Sequence, residues 1–241
     1  MPTTYAIPNG ATVFAATTYT GTGAAQNILN SANNTIGTTF RPDFVWGKIR
    51  SGADYHVLVN SVVGVDKFLK SNTTDAETTN AQTITAFNSN GYSVGTSTDL
   101  NRSTYTFVGW QWKGGGTGVS NTSGSITSTV SVNATAGFSV VTFATTGSAG
   151  TVGHGLGVAP KFIIAKNRGA STAWPVYHAS IGATNRLVLN TTDASTADTS
   201  WNNTAPTSTV FSENLSGSVF NFVAYCWAEV AGFSKFGSYT G

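Results

Sequence analysis

The sequence predicts an all-β chain: two tandem antiparallel β-sandwich-like repeats, with little or no helix and a jelly-roll or lectin-like arrangement within reach. Three observations carry this. A proline-led apolar stretch occurs twice, no window shows a helical stripe, and Ser, Thr, Asn and Gly stand where charged residues usually do. The first stretch runs Arg41-Pro42-Asp43-Phe44-Val45-Trp46-Gly47-Lys48-Ile49-Arg50; the second runs Ala159-Pro160-Lys161-Phe162-Ile163-Ile164-Ala165-Lys166-Asn167-Arg168, 118 positions on. Proline fits a strand's first residue, where its missing N–H costs no ladder bond. Apolar residues then fall on both faces, the pattern of a strand covered on both sides.

The other elements follow in order. Val13 to Gly21 reads as an opening strand, matched by Val141 to Gly147. From Thr18 to Pro42 is 24 positions and from Thr146 to Pro160 is 14, which places a ten-residue insertion in the first copy, within Gln26 to Thr39. After the proline-led strand each copy has a segment ending in or near histidine, at His56 and at His178. Next comes Leu69-Lys70-Ser71-Asn72-Thr73-Thr74-Asp75-Ala76, answered by Leu187 to Ala194. Phe44 to Asn72 and Phe162 to Asn190 both span 28 positions, which marks duplication. Thr83 to Val94 reads as a hairpin turning at Asn88-Ser89-Asn90-Gly91. Each copy closes on an aromatic strand, with Phe107, Trp110 and Trp112 matched by Phe222, Tyr225 and Trp227.

The expected organisation is a first repeat with an N-terminal arm over 1–113, a Gly/Ser/Thr-rich linker and strand over 114–136, and a second repeat over 137–230. Residues 231–241 resemble the start of a third. That last segment is expected to pair in the second unit's sheet or with a neighbouring subunit, burying Phe233 or Phe236.

Composition bounds the chemistry. Charged residues are 9% of the chain, against about 25% in ordinary soluble domains. Net charge is +2 with no basic cluster, so phosphate-driven nucleic-acid binding is disfavoured. Cys226 is the only cysteine and sits in an apolar run, which excludes an intrachain disulfide and a multi-cysteine zinc site. The start of the chain has neither a basic nor an apolar signal region. No run reaches the roughly 18 apolar residues of a membrane helix. No cofactor, metal site or membrane insertion is expected.

Candidate functional residues are few. Asp75 and Asp193 recur in Asn-Thr-Thr-Asp-Ala, where calcium or sugar binding competes with ordinary turn chemistry. His56 and His178 have ligand-contact or proton-switch potential, against a half-buried strand-end histidine bonded to a carbonyl. Gly153-His154-Gly155-Leu156-Gly157 reads as a tight turn. Asp54 and Asp75 are the one defensible carboxylate pair for a hydrolase. Trp174, Tyr177 and Trp201 stand near polar loops and are the candidate glycan contacts, since sugars stack on exposed rings; core packing is the competing reading.

The stretch from Gly153 to Arg168 resembles a repeat common in virion proteins of tailed bacteriophages, marine ones especially. So do Leu189-Asn190-Thr191-Thr192-Asp193-Ala194, Trp201-Asn202-Asn203-Thr204-Ala205-Pro206, Tyr225-Cys226-Trp227-Ala228-Glu229 and the segment Gly232 to Gly241. The resemblance is strong over 137–241 and looser over 11–113, where the Gly-His-Gly lead-in is missing. It implies a non-enzymatic virion structural protein (tail fibre, appendage or capsid decoration), assembled in the host cytoplasm. Its partners would be further copies of itself and other virion proteins. A carbohydrate-binding adhesin for a host-surface glycan is the alternative expectation.

Overall fold

The computed structural model describes residues 5–32 and 37–239. Contacts divide the chain into two compact units, residues 9–117, and residues 118 onward together with the short N-terminal stretch ending at Pro8. The arm expected to belong to the first repeat therefore packs with the second: a Cβ on Gly232 would lie 2.3 Å from the Tyr5 ring. No helix among the described residues is long and apolar enough to cross a membrane.

The first unit contains β1 (Phe14–Thr20), β2 (Gln26–Leu29), β3 (Phe44–Ile49), β4 (His56–Asn60), β5 (Gly64–Lys70), β6 (Thr78–Thr79), β7 (Ala86–Asn88), β8 (Gly91–Val94) and β9 (Thr106–Trp112). A single helical turn, α1 (Thr98–Asn101), is capped by Ser97. The strands make a six-stranded sheet in the order β1-β9-β3-β4-β5-β6 and a three-stranded sheet β2-β8-β7. Between them lies one apolar cluster. Val45, Ile49, Val57, Val59, Phe68 and Phe107 come from the large sheet; Ile28, Tyr92 and Val94 come from the small one. This is a β-sandwich.

The second unit contains β10 (Val119–Asn121), β11 (Ser128–Asn133), β12 (Phe138–Ala144), β13 (Gly150–Gly153), β14 (Phe162–Asn167), β15 (Pro175–His178), β16 (Asn185–Val188), β17 (Thr196–Ala197), β18 (Val210–Glu213) and β19 (Asn221–Trp227). They form an eight-stranded sheet, β10-β11-β12-β19-β14-β15-β16-β17, facing the pair β13-β18. The strand expected within 114–136 is β11, which pairs with β12 and, with β10, extends the second sheet. The segment after Val230 is a turn rather than a strand: Val230 bridges Ser234, and Gly232 takes φ +78°. Phe236 stacks on Phe162 at 5.9 Å, but Phe233 and Phe236 are both only half-buried, so the expected burial of one of them is not met.

The order β1-β9-β3-β4-β5-β6 is repeated by β12-β19-β14-β15-β16-β17, and the registers agree. Trp112 lies opposite Phe44 as Trp227 lies opposite Phe162. Val57 faces Lys70 as Pro175 faces Val188, and Phe68 faces Thr78 as Arg186 faces Thr196. The same register corrects the opening strand. Phe14 and Phe138 occupy equivalent places, opposite Trp112 and Trp227. The match of Val13 to Val141 is therefore four residues out of step. With Phe14 to Pro42 at 28 positions and Phe138 to Pro160 at 22, the first-copy insertion is six residues rather than ten. It follows β2, and part of it lies outside the described residues.

Turn residues also settle differently. In the 86–94 hairpin Asn88 faces Gly91, so Ser89 and Asn90 make the turn. Gly91, at φ +144°, is needed for a second reason: a Cβ there would lie 2.0 Å from the Ile28 carbonyl oxygen on β2. On the core face of the large sheet Gly47 pairs Gly109. A Cβ on Gly47 would lie 2.5 Å from Leu100, and one on Gly109 2.1 Å from the Tyr92 hydroxyl. This glycine notch seats α1 and β8. Gly109→Ala overpacks it and is expected to cost about 1–3 kcal/mol, read as a lower urea midpoint. An unchanged midpoint would mean that Tyr92 does not fill the notch.

Candidate functional site

The three rings expected to meet a glycan are buried. Trp174 is 0%, Trp201 1% and Tyr177 4% exposed. Tyr177 and Trp201 belong to the second core, edge to face at 5.9 Å. The physical reason is strand alternation: Tyr177 lies opposite Ile163 on β14 and so shares its inward face. Polar neighbours in sequence mark turns, not the direction of these side chains.

The recurring Asn-Thr-Thr-Asp motif is turn chemistry. Asn72 Oδ1 accepts from the His56 N–H at 2.9 Å, and Asn190 Oδ1 accepts from the Trp174 N–H at 3.1 Å. Thr73 and Thr191 hydroxyls accept from the Asp75 and Asp193 N–H groups at 3.3 and 3.4 Å. Asp75 pairs with Lys70 at 3.3 Å, and Asp54 pairs with Arg102. The two carboxylates proposed as a hydrolytic pair are therefore each held by a separate cation. No group of three or more metal-ligating side chains occurs among the described residues.

His56 and His178 are not equivalent. His56 faces Lys48, whereas His178 faces Phe162 at the other end of the corresponding strand. His154 is fully buried. Its Nδ1 accepts from the Leu156 N–H at 3.2 Å, so Nε2 carries the proton and donates to the Thr207 carbonyl at 3.2 Å. Gly155 and Gly157, both at φ +74°, make the turn around it. Burial lowers its pKa, and the Thr207 bond opposes that in part. The Cys226 thiol is fully buried and its pKa is pushed up, which makes it a structural residue.

Two recesses among the described residues bear on ligand binding. One, of about 320 Å³, is walled by Trp46, Trp110 and Trp112 on the first unit's large sheet, with Trp46 and Trp110 edge to face at 6.5 Å. It offers apolar area and no polar side chain to orient a ligand. The other is a cleft of about 220 Å³ in the second unit. Asn167 at the end of β14, Pro175, Arg186 on β16 and Phe222 on β19 form its floor. The loops that carry Thr172, Ser200, Leu215, Ser216 and Phe220 form its walls.

These walls are fastened from behind. Lys166 is fully buried, and its ammonium donates to the Ala170 and Thr172 carbonyls at 3.0 Å and to Thr172 Oγ1 at 3.3 Å. A buried ammonium demands such oxygens, so the 168–174 loop is held in place. Arg186 Nε lies 3.3 Å from Asp198 Oδ2, near enough for an ion pair though not aligned as a hydrogen bond, and Nη1 donates to Ser200 Oγ at 3.4 Å. The Asn214 N–H reaches the Ser200 carbonyl at 2.8 Å. Glu213, fully buried, accepts from the Leu215 N–H at 3.0 Å through Oε2, while Oε1 has no protein donor. Burial raises the Glu213 pKa against that one N–H bond. None of these polar residues was singled out from sequence. The available signal was a polar residue at an inward strand position, since Asn167 shares a face with Ile163 and Ala165.

A family model described as a domain of unknown function, DUF7483, matches residues 9–241. The chain belongs to this family. The matched span begins where the first unit begins and takes in both sandwiches. No curated protein matches the chain. Among solved structures, a cupin 2 conserved barrel domain protein from Leptotrichia buccalis aligns at TM-score 0.28 and 9% identity, over 88% of this chain and 78% of that one.

His154 makes stability depend on pH. Its folded pKa is depressed, so its contribution is full above the unfolded value of about 6.5 and is lost as pH falls through the folded value. His56, lowered by burial and then by the Lys48 charge, acts in the same direction. His154→Gln is expected to lower the melting temperature at about pH 7.5 and to flatten its fall toward about pH 5. An equally steep fall in the variant would assign the dependence elsewhere.

Proposed function

We propose that the chain is a non-enzymatic structural protein of a tailed-phage particle, a tail fibre, appendage or capsid decoration that presents paired β-sandwiches on the exterior. The observation that carries this is the duplication itself. One sandwich plan is used twice with matched registers, on a chain with few charges, several of which pair locally, as in Arg102–Asp54, Lys70–Asp75 and Arg186–Asp198. Repeated β modules with neutral polar surfaces suit extended, symmetric assemblies of identical chains. The sequence resemblance of 137–241 to virion repeats points the same way. The carboxylates first considered for hydrolysis are each paired with a cation of their own, which favours a structural role over a catalytic one.

Mass spectrometry of purified particles tests the reading. The chain is expected among the virion proteins in multiple copies. Its absence from intact particles, with expression in the infected cell, would remove the assignment.

A second reading, recognition of a host-surface glycan, is favoured by one observation, the polar and aromatic cleft of the second unit. The burial of Trp174, Tyr177 and Trp201 takes them out of it. A glycan array probed with the whole chain is expected to show binding if this reading holds. Uniform absence of signal would sink it and leave the structural role standing.

A further inference from the structure

The two copies differ at the cleft and just behind it in an ordered way. Matched registers place Asn167 where the first copy has Ile49, and Arg186 where it has Phe68. Gln26 faces Val94 as Gly150 faces Glu213, so Glu213 stands where the first copy has Val94. In the first copy Ile49, Phe68 and Val94 are 0%, 3% and 0% exposed and belong to the apolar core. The second copy has therefore exchanged three core positions for an amide, a guanidinium and a carboxylate. It has kept the aromatic at the fourth, Phe222 for Phe107.

An exchange of this kind is unfavourable unless the new polar groups find partners. Some do: Arg186 has Asp198 and Ser200. A purely internal network would close on itself with its own side chains. Here it leaves about 220 Å³ open over Asn167 and Arg186, room for about seven waters, while Glu213 lies outside that lining, its Oε2 holding the Leu215 N–H beside it. The volume is under the roughly 300 Å³ where pockets for drug-sized ligands begin, so it suits one small ring and not a nucleotide or an extended chain.

We propose that this cleft binds a single neutral sugar ring. The lining chemistry selects that class. Arg186 is offset by Asp198, so the site has no net charge to attract an anion. Asn167, Thr172, Ser200 and Ser216 supply mixed donors and acceptors of the kind that hydroxyl groups match, and Phe220 contributes an aromatic wall. The buried Lys166 holds the Thr172 loop in advance, so little ordering is left to do on binding. The first copy, with Phe68 in the place of Arg186, has its equivalent positions packed.

The site rests on the glycan-recognition reading, and its test is separate from the array. The full chain, isotope-labelled, is titrated with methyl glycosides of glucose, galactose and mannose, with methyl glucuronide and glycerol as comparisons. Saturable amide shifts confined to residues 167–175, 200 and 213–222 are expected from at least one neutral glycoside, at a Kd of about 1–10 mM, as suits a single ring. Arg186→Phe, which restores the first copy's residue, is expected to abolish them. Ser200→Ala, a milder change, is expected to weaken binding several-fold with the folded spectrum retained. The proposal is overturned by any of three results: no neutral glycoside saturates, only the glucuronide binds, or Arg186→Phe binds as well as the native chain. Binding of free glycoside with a silent array would keep the site and remove only the adhesin reading.

Discussion

Each unit depends on one strand that must be paired along both edges. β3 lies between β9 and β4, and β14 lies between β19 and β15. A strand in that position can leave no backbone group unmatched at its ends. The structure meets this with the same bonds twice. Past each proline, the Asp43 and Lys161 N–H groups reach the Trp112 and Trp227 carbonyls, both at 2.8 Å. At the far end the Arg50 and Arg168 N–H groups reach Thr106 and Asn221, at 2.7 and 2.8 Å. On the other edge the Ser61 and Ala179 N–H groups return to the Asp43 and Lys161 carbonyls, at 2.8 and 2.9 Å. Across the strands Trp112 lies between Phe14 and Phe44 at 5.0 and 5.1 Å, and Trp227 between Phe138 and Phe162 at 5.3 and 5.5 Å. A one-residue slip would break the aromatic row and turn the core face outward, so register is strongly specified.

This explains what the sequence shows and what it hides. The proline-led strands, the 28-residue spacing to Asn72 and Asn190 and the aromatic closing strands are legible because central strands fix residue type and spacing together. The opening strand is less legible. β1 and β12 each have one partner held in common between the copies, β9 and β19, and a run of Val, Thr and Phe matches itself at more than one offset. The edge element is harder still: β10 lies in a Ser/Thr/Gly-rich stretch and joins the sheet only through β11, the strand expected there. The aromatic candidates misled for a related reason. Trp174 and Trp201 sit beside turn residues in sequence, but the backbone of Trp174 is held by Asn190, and the ring of Trp201 packs edge to face against Phe211 at 6.4 Å.

The cleft was invisible for the opposite reason. Asn167 and Arg186 look ordinary in a polar chain and become informative only when register sets them against Ile49 and Phe68. A duplicated frame gives that comparison within one molecule. The shared bonds hold the two scaffolds to one plan, and the inward positions are free to differ, packed in one copy and polar in the other. Function on such folds is placed on a frame that does not change. Here the frame-holding groups (Lys166 behind Thr172, Glu213 behind Leu215) are buried beside the polar positions they support.

The central claim is that two copies of one frame are fastened by equivalent bonds to a doubly paired strand. Native-state amide hydrogen exchange tests it most directly, residue by residue. The account predicts that the amides of Asp43, Arg50 and Ser61, and those of Lys161, Arg168 and Ala179, are protected well beyond the loop amides in both units. Strong protection in one set with loop-like exchange in the other would contradict it.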